Sequence, residues 1–152
     1  MELCQRHIRV NNPSIRFEDP KKLLAFLRTS RLKKPSLSLE LGAYFKTIRT
    51  DHRLARQDVA VAVNLSNDDL KKIESPKSLL WDLPPDLIAQ LACLYHIEMR
   101  HLEKLAQNSC RIATFTGRVT DPDSASTATS HWISQVRTSL EQFGAKELLA
   151  VS

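Results

Sequence analysis

With 152 residues and a hydrophobic content of 42%, the chain can build one domain with extensions around a single core. Aromatics make up only 6%, so that core is aliphatic, and three glycines argue against a hairpin-rich fold; the expected class is all-α. The net charge is +5, but residues 1–56 hold thirteen Lys/Arg against five Asp/Glu, an excess of eight, whereas 57–105 hold five against eight. A basic first half suits a polyanionic partner and also reads as ordinary solvated charge.

Residues 1–17 lack periodicity and carry a turn signal, Asn11-Asn12-Pro13-Ser14. Asp19-Pro20 predicts a helix running to about Ser30, with Leu23, Leu24 and Leu27 on one side and Phe26 adjoining. That face needs a partner, either the domain that follows or a second copy of the chain. Arg28, Arg31, Lys33 and Lys34 then place four cations in seven positions ahead of Pro35. They read as a solvated linker or as a basic arm that releases counterions from a nucleic acid.

The stretch from Leu41 to Glu74 predicts three short helices. Leu41, Phe45 and Ile48 repeat at helical spacing, as do Val59, Ala60 and Val63, then Leu70 and Ile73. Between the last two helices stands Asn64-Leu65-Ser66: a residue tolerant of left-handed geometry, an apolar plug and an N-cap. Small Ala60 lets the helices cross closely. By its mechanics this is a helix-turn-helix.

The same residues resemble the phage-repressor and Cro-type (XRE-like) helix-turn-helix family. Leu41, Gly42, Phe45, Ile48 and Arg49 match its opening, Val59-Ala60 its second helix, Ser66 its turn and Ile73-Glu74 the end of its third helix. The resemblance runs over about 38–105, through Leu83-Pro84, Ile88, Leu91, Ala92, Tyr95 and Ile97. It implies a five-helix, lambda-repressor-like domain that binds double-stranded DNA as a homodimer. Arg56, opening the second helix, and Arg53 before it would meet backbone phosphates, assisted by the helix N-terminus. Base-facing positions would be Asn67, Asp68 and Lys72 on a recognition helix over about 67–74, with Ser66, Asp69 and Lys71 flanking. Asn pairs with adenine, Lys donates to guanine and Asp accepts from cytosine. Arg31, Lys33 and Lys34 would form an arm along the duplex.

Two features depart from the family. Asp68 and Asp69 set two carboxylates where phosphates line the groove, although acidic residues favour a helix N-terminus. The following loop, basic in many members, has only Lys77 before Leu79-Leu80-Trp81-Asp82. Leu79, Leu80 and Trp81 are either tucked into the core or form a contact patch.

Pro84-Pro85-Asp86 predicts the next helix, with His96 where the family usually has glycine, so His96 either takes the left-handed cap or the helix ends differently. A short helix over about 99–107 follows. The composition of 108–130 turns to Ser, Thr, Asp and Gly and predicts a linker, with a short strand over 111–119. A last helix over about 130–143, ended by Gly144, carries Ile133, Val136, Leu140 and Phe143 as a narrow seam beside Trp132. Too short to stand alone, it packs on its own domain or on a second subunit. The expected division is thus 1–35, 36–107, 108–130 and 131–152.

Cys4, Cys93 and Cys110 are odd in number and form no C-x-x-C pair, which predicts a reduced, cytoplasmic chain. The start carries charges where a signal peptide needs an apolar run, and no stretch reaches the roughly 20 apolar residues of a membrane span. Cys93, His96 and His101 lack a zinc spacing, so neither a metal nor a cofactor is expected. No phosphate loop or catalytic signature occurs, so no enzyme is expected. The leading expectation is a sequence-specific transcriptional regulator. The alternatives are a protein-interaction module or antirepressor that keeps the fold without reading DNA, and the DNA-binding antitoxin of a toxin–antitoxin pair.

Overall fold

Apolar residues every three or four positions give each segment one buried stripe, and the stripes converge on one core. The structure, a computed structural model, describes residues 19–29, 34–75 and 79–149. Its helices in chain order are α1 (Pro20–Thr29), α2 (Leu41–Asp51), α3 (Arg56–Ala62), α4 (Asn67–Ile73), a 3-10 turn (Leu80–Asp82), α5 (Pro85–Tyr95), α6 (Met99–Phe115), α7 (Pro122–Gln142) and α8 (Lys146–Leu149). Among the described residues no helix is long and apolar enough to cross a membrane.

Helix α1 starts as its Asp-Pro pair predicts, with the Asp19 carboxylate accepting from the Lys21 amide at 2.9 Å. Its partner is the same chain: Leu23 and Leu27 are buried, and the helix packs on α3 and α5. Burying each such leucine contributes about 1.5–3 kcal/mol. Leu24, one position round, stays 38% exposed.

Most of the predicted linker and strand over 108–130 is helical, all but 116–121. Helix α6 runs on to Phe115 because its buried stripe does: Leu102, Leu105, Ala106, Ser109 and Ala113 follow one another on one side. Thr114 and Thr116 do not break it, since their hydroxyls donate to the Cys110 and Ile112 carbonyls at 3.0 and 2.8 Å. Packing overrides the strand preference of β-branched residues. Helix α7 begins at Pro122, eight residues before the expected start. Asp121 caps it, accepting from the Asp123 and Ser124 amides at 3.1 and 3.4 Å. Ala125 and Thr129 extend the stripe of Trp132, Val136 and Leu140 towards that cap.

Helix α7 lies against α5, α6 and the 3-10 turn, and the Trp132 indole donates to the Leu83 carbonyl at 2.9 Å. The C-terminal helix thus packs on its own chain, one of the two arrangements expected for it: Trp132, Val136 and Leu140 share one core with Leu23 and Phe45. The far half of α6 also fixes the start of α2. Ser109 Oγ accepts from the Leu41 amide at 2.9 Å, Asn108 donates to the Leu39 carbonyl at 3.0 Å, and Arg118 pairs with Glu40 at 3.0 Å. Helix α5 ends on His96 at φ 57°, ψ 55°, the left-handed cap in place of glycine.

Candidate nucleic-acid interface

Helices α3 and α4 have seven residues each and are too short to persist alone, so the turn between them must be specified locally. Asn64 takes φ 58°, a left-handed geometry that asparagine tolerates better than most residues. The Leu65 amide closes on the Ala60 carbonyl at 2.7 Å, and the Leu65 side chain packs on the core. Ser66 Oγ accepts from the Asp69 amide at 3.0 Å and caps α4. Leu70 and Ile73 anchor α4 inward. Gly42 sets the approach of α2 to the end of α4: a Cβ added there would lie 2.6 Å from the Ile73 carbonyl oxygen.

Beneath α4 lies an ionic cluster. Arg49 donates from Nε and Nη2 to the two Glu74 carboxylate oxygens at 2.9 and 3.0 Å, and from Nη1 to the Leu54 carbonyl at 3.0 Å. Both side chains are almost wholly buried. Arg56 Nε comes within 3.5 Å of Glu74 without hydrogen-bond geometry, and its side chain keeps 30% of its exposure. Burial, reinforced by the Glu74 charge against a smaller effect of Arg49, pushes the Tyr95 hydroxyl well above the usual tyrosine range. Breaking a buried pair such as Arg49–Glu74 by removing one partner costs about 3–5 kcal/mol, so the cluster clamps α2, α3 and the end of α4 together.

Asn67, Asp68, Asp69, Lys71 and Lys72 are all exposed, on the side of α4 away from Leu70 and Ile73. Exposed Arg53 stands at φ 55° just before α3, and Arg56 opens it over Glu74. These residues therefore lie on α4, at the start of α3 and in the loop before it. Lys34 does not join them; it lies near Glu98 at the start of α6, where partial burial lowers its pKa against the pull of that carboxylate. Arg31, Lys33 and Lys77 lie outside the described residues, as does the turn signal at 11–14.

The residues expected at a partner surface divide differently. Leu80, Trp132, Val136 and Leu140 are buried in the chain's own core, so none is free to meet a second copy. Leu79, Trp81 and Ile133 are half-buried, the last two packed against that core; Phe143 alone stays open, at 45%. The leucine–tryptophan loop is thus tucked, because a 3-10 turn sends Leu80 inward under α7.

The Arg49–Glu74 pair was not foreseen as a pair. Its signal was present: Arg49 continues the stripe Leu41, Phe45, Ile48, and Glu74 continues Leu70, Ile73. Opposite charges at two core-facing positions of neighbouring helices point to each other. Among the described residues no three His, Cys, Asp or Glu side chains converge on a metal position. No family model, curated protein or solved structure matches the chain.

Proposed function

We propose that the chain is a sequence-specific DNA-binding regulator with a lambda-repressor-like helix-turn-helix, acting as a dimer with α4 in the major groove. The supporting observation is that five polar residues of α4 are exposed while Leu70, Ile73 and the Arg49–Glu74 clamp hold its other side. A short helix with a rigid inner side and an exposed polar outer side suits base reading. Asn67 and Lys72 would contact base edges, and Arg53 and Arg56 would meet phosphates. Two half-sites would lie about 34 Å apart, one turn of DNA.

A second reading is favoured by Asp68 and Asp69, both exposed at the start of α4. In that reading the same surface meets a basic protein partner. In the antitoxin reading, a toxin held by α7 would have to meet residues other than Trp132, Val136 and Leu140, which are buried.

A mobility-shift titration at two salt concentrations tests these readings with the chain's own upstream DNA and random DNA. Tight binding to the upstream DNA, reduced about tenfold or more by Asn67→Ala, is expected; losing a bidentate base contact costs about 1–3 kcal/mol. Equal, weak binding to both DNAs would remove the groove-reading proposal. Restored salt-sensitive binding in Asp68→Asn/Asp69→Ser would then mark those carboxylates as the barrier.

A further inference from the structure

A notch of about 230 Å3 opens between α6 and α7, walled by Gln107, Cys110 and Arg111 on one side and by Ser126, Ser130 and Ile133 on the other. Sites for drug-sized molecules enclose about 300–1,000 Å3, so an occupant of the notch is smaller than those. Among the described residues, Arg111 is the only charged one in the lining. It has an anchor but no counter-charge. Its guanidinium donates from Nη2 to the Asn108 side-chain oxygen, and no carboxylate among the described residues lies within ion-pair distance. Arg49, Arg56, Arg100, Arg118 and Arg137, by contrast, each reach one. Asn108 is itself buried and donates to the Leu39 carbonyl at 3.0 Å, so the arginine is held by a fixed group. The remaining N–H donors of its fork are left for a ligand.

On α7, Ser126 and Ser130 stand four positions apart and so share one side of the helix. Neither hydroxyl has a hydrogen-bond partner among the described residues, whereas Thr129, also in the lining, donates to the Ala125 carbonyl at 2.8 Å. The Gln107 amide likewise has none. The acidic residues nearest in sequence on these helices, Glu103 and Asp123, line no part of the notch, and Glu103 pairs with Arg137. A cation with hydroxyl and amide donors from two helices suits an oxyanion held from several sides. A phosphate monoester offers such a set three terminal oxygens, where a carboxylate offers two. Ile133 adds an apolar wall for a short carbon body.

We infer that this notch binds a small phosphate monoester, with its phosphoryl oxygens on Arg111, Ser126 and Ser130 and its carbon body against Ile133. The site uses α6 and α7, not α4. It does not depend on the DNA reading, and its test contains no DNA.

Amide NMR spectra of the full chain, titrated with glycerol 3-phosphate, inorganic phosphate and sodium chloride at matched ionic strength, test it. Glycerol 3-phosphate should shift the amides of Gln107, Arg111, Ser126 and Ser130 saturably, and inorganic phosphate should bind more weakly. Arg111→Gln should weaken binding of the ester at least tenfold with the circular dichroism spectrum unchanged, because a charge-assisted fork is lost. Ser126→Ala/Ser130→Ala, two exposed changes that leave Asn108 and Arg111 alone, should weaken it severalfold. With Cys4→Ser/Cys93→Ser leaving one thiol, the ester should slow alkylation of Cys110 in the lining. Shifts that grow without saturating, as with chloride, would overturn the inference. So would undiminished binding in Arg111→Gln or in the double serine variant, or unchanged alkylation of Cys110. Inorganic phosphate binding as tightly as the ester would overturn the seat assigned to the carbon body.

Discussion

The α3–α4 turn and the α6–α7 hairpin both reverse the chain between two helices, by opposite means. In the first, four residues join seven-residue helices, and the Ser66 cap and one buried ion pair supply the precision. In the second, helices of 17 and 21 residues are joined by a longer loop ending on Asp121. There, the area buried along Trp132, Val136, Leu140, Leu102 and Leu105 supplies the stability. The long pair is scaffold. The short pair keeps one side exposed because polar, directional contacts need little surface to hold it.

The sharpest way to break this division is at Trp132. Trp132→Ala should destabilise the whole chain by about 3–5 kcal/mol in a denaturant titration, since the cavity adds to an unpartnered Leu83 carbonyl. α1 through α5 should unfold in the same transition. A separate, unshifted transition for the helix-turn-helix would show two independent units.

On the short pair, Glu74→Ala should cost about 3–5 kcal/mol, because it leaves the buried Arg49 guanidinium without its carboxylate. The pair change Arg49→Met/Glu74→Leu should recover most of that loss. If thermal denaturation finds both variants equally damaged, the ion pair is not what holds α4. Gly42→Ala should cost about 1–3 kcal/mol, because its Cβ meets backbone at 2.6 Å and α4 must shift. Ser66→Ala should cost about 1 kcal/mol, the usual loss of an N-cap.

The smallest expected effect is a pH dependence at the start of α6. Burial, more than the opposing pull of Glu98, lowers the His101 pKa below its ordinary value of 6.5. The unfolded chain therefore takes up that proton first, so the His101 contribution is present above about pH 6.5 and is lost as pH falls through the folded value. His101→Gln should flatten the fall in Tm between neutral and mildly acidic pH. An unchanged slope would assign that fall to other groups.

Legibility in the sequence followed the range of the forces. Asn64, Leu65 and Ser66 act on their immediate neighbours, so the turn could be read from three letters. Asp121-Pro122 carries the same start signal as Asp19-Pro20, yet the Ser/Thr-rich run after it outweighed that signal. Only the packing of Ala125 and Thr129 makes the run helical. Likewise nothing local says whether Val136 and Leu140 face α5 and α6 or a second chain; α5 had to be in place first. At the candidate site, the exposed positions of α4 were legible from helical spacing. The engagement of Arg56 with Glu74 was not, because it joins residues 18 positions apart through a turn.

Among the described residues, three other than glycine, Arg53, Asn64 and His96, stand at positive φ. Each side chain strains the folded backbone by about 1–2 kcal/mol where glycine would not. Yet glycine at those sites would widen the conformational range of the denatured ensemble, by an entropic amount near 0.4–1 kcal/mol each. The two terms oppose, so part of the strain is offset before folding begins. With only three glycines in 152 residues, the chain starts from a comparatively narrow unfolded ensemble and forfeits less disorder on folding.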